Sequence, residues 1–181
     1  EGNQLERNTP TLINATFQKS QFWDGRSPDL ISQISSVFNN EKEFNASVHQ
    51  FSSDILIDST YNQMFKEAYG GLSAKNTEII KAISSYISTL NGFDSKFDKN
   101  IRGDIDSFTE QEELGFNLFM GKALCATCHF IPLTNGTVPP FFAEHEKEVI
   151  GVPNSAKNLE LDEDPGFYAI SKKELQSGMF K

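Results

Sequence analysis

The pentapeptide Cys125-Ala126-Thr127-Cys128-His129 constrains this chain more than any other feature, because it holds the only two cysteines among 181 residues. A C-x-x-C-H run is the signature of covalent haem attachment. Each thiol adds to one vinyl group of the macrocycle, and the adjoining imidazole lies where one of its nitrogens can bind iron. The competing readings need more than the sequence supplies. A structural zinc site wants a fourth ligand, and there is no second cysteine pair or histidine cluster to provide it. A thioredoxin-type dithiol opens a helix in a βαβ setting, whereas here a helical pattern precedes the motif and a histidine follows it directly. Cysteine-linked haem is made outside the reducing cytosol, so the motif predicts an exported, periplasmic protein whose signal peptide is not part of this sequence.

Composition narrows the field further. A formal charge of −9 with no dense Lys/Arg stripe excludes a nucleic-acid binder or a dock for anionic lipid. An acidic surface suits a basic redox partner, or simply keeps the chain solvated. No stretch of about 18 apolar residues occurs, so no bilayer span is expected. With 38% hydrophobic residues and 16 phenylalanines, the chain can build one or two small cores.

Helical punctuation dominates and strand alternation is scarce, which predicts an all-α protein with long irregular loops. Ser27-Pro28 opens a segment with Leu30, Ile31, Ile34, Val37 and Phe38 at helical spacing, with Ser27 expected as N-cap and Pro28 as the first helical residue. Phe44, Val48 and Phe51 suggest a second short helix, and Tyr61, Met64, Phe65, Ala68 and Tyr69 a third, stopped by Gly70-Gly71. Ile79, Ile80, Ile83, Ile87 and Leu90 mark the clearest helix, ending at Asn91-Gly92. A polar stretch, 94–106, reads as a boundary. Thr109 and Glu112 then form a capping box ahead of Leu114, Leu118 and Phe119, and Gly121 closes that helix four residues before Cys125. From Pro132 to Pro153 the pattern is that of an irregular loop, and in the acidic tail only Ser171 to Gln176 reads as helical.

Three separated blocks carry a resemblance. Arg7-Asn8-Thr9-Pro10-Thr11-Leu12, Phe22-Trp23-Asp24-Gly25-Arg26, and the run from Gly115 to Cys125 resemble, in this order, the bacterial di-haem cytochrome c peroxidase and MauG family. Members of that family have two all-α, cytochrome c-like haem domains, each with its own C-x-x-C-H, and the resemblance implies the same fold here. The resemblance therefore implies that residues 1–98 are the remainder of an N-terminal, peroxidatic haem domain whose attachment motif lies upstream. Residues 99–181 would be an incomplete C-terminal, electron-transfer haem domain. The sequence so read is the middle of a longer protein with two haem c groups, one of them attached here.

The resemblance also implies roles. Cys125, Cys128 and His129 would hold haem c, with His129 on the iron. Trp23 matches the family tryptophan between the two haems, where a π-system can pass an electron; without the resemblance it is a large core aromatic. Glu43 falls at the family spacing for a peroxide-pocket glutamate that moves a proton between the two peroxide oxygens; taken alone, Glu41-Lys42-Glu43 is a solvated charge cluster. Asn8 matches a side-chain ligand of a calcium ion, and alone it is a polar turn residue before Pro10. His49 and His145 read as exposed side chains, Met64 and Met120 as core, and no sixth ligand to the iron is assigned.

The activity implied is reduction of hydrogen peroxide to water with electrons from a small donor protein such as a cytochrome c or cupredoxin, in a protein that allows for a homodimer. Two alternatives stay open at this point: a MauG-like enzyme that oxidises a protein side chain, and a mono-haem electron-transfer module.

Overall fold

The structure, a computed structural model, describes residues 4–71, 75–104, 108–136, 138 and 147–180. It divides into two compact units. One comprises Glu1–Thr16 and Ser27–Leu90, the other Phe17–Arg26 and Asn91–Lys181. Seven α-helices and one two-stranded sheet are present among the described residues, so the fold is helical as its periodicity predicts.

The first unit holds α1 (Leu30–Asn39), α2 (Val48–Ile57), α3 (Ser59–Ala68) and α4 (Asn76–Ser88). On α1 the stripe Leu30, Ile34 and Phe38 recurs every four residues and is buried. It meets Val48 of α2, Ile80 and Ile87 of α4, and Ala15, with Phe51 and Ile83 packed against the cluster. Ile31, expected in the core, lies at the edge of this stripe and is 46% exposed. Backbone and side chain tie the start of the chain to the end of α4: Asn14 N donates to Leu90 O at 2.9 Å, and the Thr16 and Ser88 hydroxyls lie 3.3 Å apart.

Caps set the boundaries, and one differs from expectation. Asp29, not Ser27, caps α1: its Oδ1 accepts from Ser32 N at 2.7 Å. The shift has a physical reason. An aspartate one residue after proline reaches the third helical amide and places its charge at the positive helix end, so Pro28 sits outside the helix. Ser47 caps α2 and Asp58 caps α3. Phe44 therefore lies before α2, in a turn, with its ring 5.0 Å from Phe38 and 6.3 Å from Phe51.

The second unit contains α5 (Lys96–Ile101), α6 (Glu110–Met120), a 3-10 turn at Cys125–Thr127, α7 (Tyr168–Ser171) and a 3-10 turn at Glu174–Gln176. Strands β1 (Glu148–Val149) and β2 (Met179–Phe180) pair antiparallel, Glu148 opposite Phe180. Two expectations are corrected here. The polar stretch after Asp94 contains α5, nucleated by a Ser95/Asp98 capping box, and the span Ser171 to Gln176 holds no α-helix of its own, only the last residue of α7 and a 3-10 turn. Phe97, Phe108 and Phe116 pack as a three-ring cluster with centroids 5.7–6.3 Å apart.

The expected Thr109/Glu112 capping box on α6 is present, and Lys96 of α5 donates to the same glutamate. That ammonium first, and then the Thr109 amide and hydroxyl, push Glu112 down from the usual 4.5 to about 2. A carboxylate with a depressed folded-state pKa stabilises the fold above its unfolded value, and that stabilisation is lost as pH falls through the folded value. The urea midpoint is expected to fall more steeply between pH 4.5 and 2 in the native protein than in Glu112→Gln. Carboxylate titration by NMR should place Glu112 near 2, and back toward 4.5 in Lys96→Ala; an unmoved Glu112 in that variant would refute the pairing.

Candidate functional site

The five residues of the C-x-x-C-H motif form one tight turn. Leu124 enters it in the left-handed region (φ 57°), and Cys125 O then accepts amides from Cys128 at 3.3 Å and His129 at 3.0 Å. The Thr127 hydroxyl donates to Leu124 O at 2.6 Å. One turn of chain thus brings Cys125, Cys128 and His129 together. Both thiols are exposed and unbridged, as two groups that must each reach a vinyl substituent need to be.

His129 is held for ligation through its other nitrogen. Its Nδ1 lies 2.7 Å from Thr134 O. A carbonyl can only accept, so Nδ1 carries the proton and Nε2 keeps the lone pair that a metal requires. Among the described residues no group of three His, Cys, Asp or Glu side chains comes together, so nothing there completes a zinc site.

The surroundings fit a large apolar prosthetic group. α6 runs into the motif, yet none of its residues is buried. Leu114 is 61% exposed and Leu124 65%, with Leu118 and Met120 nearly half exposed. Among the described residues of this unit no large apolar side chain is buried at all. Exposed apolar side chains beside the attachment turn are what a macrocycle can cover, and burying each leucine contributes about 1.5–3 kcal/mol.

Trp23 belongs to this same unit. Its loop is fixed by neighbours: Gly25 N donates to Phe22 O at 3.0 Å, and Asp24, 4% exposed, accepts from Arg26 N and Nη1 at 3.0–3.1 Å. The Arg26 guanidinium lies 3.5 Å from the centroid of the Phe22 ring. Gly25 has φ +63°, and a Cβ there would collide with the side chain of Lys147, whose Nζ sits 4.3 Å from the Phe167 centroid. Trp23 itself is 43% exposed.

Glu43 and Asn8 lie in the other unit. Glu43 occupies the turn between α1 and α2, where Asn40 Nδ2 donates to its Oε1 at 2.8 Å. Asn8 is exposed in an irregular segment. One asparagine offers one of the six to eight oxygens a calcium ion takes, so no chemistry is derived through calcium. His49 is exposed on α2, and His145 lies outside the described residues. Sequence reasoning missed the Asp24–Arg26 pair, Lys147 and Asn40. The short Asp-Gly-Arg spacing signals the first; the others depend on contacts that no local pattern announces.

Comparison with known proteins decides the family. A family profile described as di-haem cytochrome c peroxidase matches residues 1–106. The chain belongs to the di-haem cytochrome c peroxidase family. It is 33% identical over 152 residues to a cytochrome c551 peroxidase of Nitrosomonas europaea, covering 83% of this chain and 43% of that protein. It is 30% identical over 125 residues to the methylamine utilization protein MauG of Methylophilus methylotrophus, covering 68% of this chain and 37% of that protein. Among solved structures, a MauG-like protein associated with microbial copper homeostasis superposes with a TM-score of 0.78 at 23% identity, over 98% of this chain and 54% of that one, which shows a shared fold. The chain thus spans about half the length of the proteins it matches, or less.

Matured with c-type assembly machinery, the chain should keep its haem through acid–acetone extraction. A Cys125→Ala, Cys128→Ala double variant should release it, and His129→Ala should keep the covalent link but change the spin state seen by EPR. Haem extracted intact from the unaltered chain would refute the site.

Proposed function

We propose that the protein is a di-haem cytochrome c peroxidase that reduces hydrogen peroxide to water, drawing electrons from a small redox protein. The observation that carries this is the Cys125–His129 turn, in which two exposed thiols and a histidine Nε2 left open for ligation follow directly on the exposed apolar side chains Leu118, Met120 and Leu124. The membership of the chain in a family so described supports the same reading. When bound there, haem c supplies a one-electron iron couple. The chain's own residues then do the rest. Cys125 and Cys128 anchor the group, His129 orients it, and Trp23, on its clamped loop, offers a π-system for the electron.

Glu43 handles protons. Its carboxylate takes a proton from one peroxide oxygen and returns it to the other, so that the departing oxygen leaves as water rather than hydroxide. Two protons and two electrons turn one hydrogen peroxide into two waters. On this reading residues 1–98 serve the peroxidatic haem and residues 99–181 the electron-transfer haem, with Asn8 as one calcium ligand. A periplasmic setting follows from the chemistry of thioether attachment. No described helix is long and apolar enough to cross a membrane.

In the full-length protein Glu43→Gln keeps the side chain's shape and removes the base. Peroxide turnover should fall by about 10² to 10⁴ with haem content unchanged, while Trp23→Phe slows electron passage and leaves peroxide binding intact. Undiminished turnover in Glu43→Gln, with a reduced cytochrome as donor, would contradict the proposal.

A further inference from the structure

The geometry points to Asn40 as the positioning residue for Glu43, the group that aims its carboxylate for proton transfer. This inference rests on the reading of Glu43 given above. Asn40 directs every polar group it has, apart from its own amide, onto the next five residues. Its carbonyl accepts the amides of Glu43 and Asn45, each at 3.0 Å. Its Oδ1 accepts Lys42 N at 3.0 Å, and its Nδ2 donates to Glu43 Oε1 at 2.8 Å. The turn is anchored at both ends by α1: Phe44 N donates to Val37 O at 3.4 Å and Ala46 N to Phe38 O at 3.2 Å, with Asn45 at φ 45° reversing the chain between them. Phe44 closes the arrangement by packing on Phe38 and Phe51.

With the backbone so fixed, the freedom left to Glu43 is the rotation of its own side chain, and the Nδ2 contact removes it. The choice of donor matters chemically. An amide N–H is not acidic enough to give up its proton near neutral pH, so it can orient a carboxylate without competing in proton transfer. Oε1 is therefore occupied by an inert donor. Among the described residues Oε2 takes no hydrogen bond, which leaves it as the oxygen that exchanges a proton with substrate. A lysine or serine in place of Asn40 could donate equally well but would bring a proton or a charge of its own.

Asn40→Asp separates this role from simple turn formation. It preserves the carbonyl and an oxygen for Lys42 N, and aspartate forms the same local turn readily. The donor facing Glu43 is replaced by a carboxylate oxygen, which repels the Glu43 carboxylate instead of holding it. In the full-length, haem-loaded protein, peroxide turnover in Asn40→Asp should fall by about 10- to 100-fold, with haem content and the KM for the donor protein unchanged. A second readout is independent of activity. In the reduced, ¹⁵N-labelled protein, the Asn40 side-chain amide cross-peaks should move as Glu43 takes up a proton, and the movement should vanish in Glu43→Gln. Full turnover in Asn40→Asp beside an inactive Glu43→Gln overturns the positioning role alone. Full turnover in Glu43→Gln overturns the reading of Glu43 and the positioning role with it. Asn40 cross-peaks that ignore pH, or that keep moving in Glu43→Gln, overturn the hydrogen bond on which the inference stands.

Discussion

Leu114, Leu118, Met120 and Leu124, which lead into the Cys125–His129 turn, are exposed among the described residues, and the rest of the second unit depends on how that apolar surface is covered. In the first unit protein buries a core of its own: Leu30, Ile34 and Phe38 of α1 close on Ile80 and Ile87 of α4, and Ile79 is 1% exposed. In the second, the buried side chains among the described residues are Ser20, Gln21 and Asp24, while Leu114, Leu118, Met120 and Leu124 are exposed. On the proposed reading a covalently held macrocycle covers these side chains, and its two thioether links spare it the entropy of free association.

What the polypeptide does without the cofactor is to pre-set the groups around it. His129 has its tautomer chosen by Thr134 O, so no proton need leave the ligating nitrogen when iron binds. Trp23 sits on a loop held by Asp24, Arg26 and the Phe22 ring, and Gly25 is the residue that lets the Lys147 side chain pass close by. Glu43 is aimed by Asn40. In each case a short-range contact, within a few residues in all but the Lys147 case, fixes a side chain proposed to handle an electron or a proton.

Much of this was legible in the sequence because it is local. The C-x-x-C-H motif, the Thr109/Glu112 box, the Gly121 stop and the isoleucine stripe of α4 all appear where their patterns place them. The failures are physical too. Ser27-Pro28 imitates a helix start, but Asp29 binds the Ser32 amide better. α5 carries Phe97 and Ile101 as its only large apolar residues, too few for a periodic signal, and the Ser95/Asp98 box was the cue that mattered. The Asn40–Glu43 contact is invisible beforehand because it requires the α1–α2 turn to close, and that closure depends on Phe44 finding Phe38 and Phe51.

The central claim is that haem on Cys125, Cys128 and His129 completes the core of its unit, and amide hydrogen exchange of the haem-loaded chain against the Cys125→Ala, Cys128→Ala variant tests it most directly. Covering Leu114 and Leu124, each more than half exposed, stabilises α6 and the turn after it by about 2–3 kcal/mol, or about 10² in protection. The account predicts that rise across α6 and the attachment turn, with α1 and α4 unchanged. Equal protection of α6 in the two proteins would contradict it.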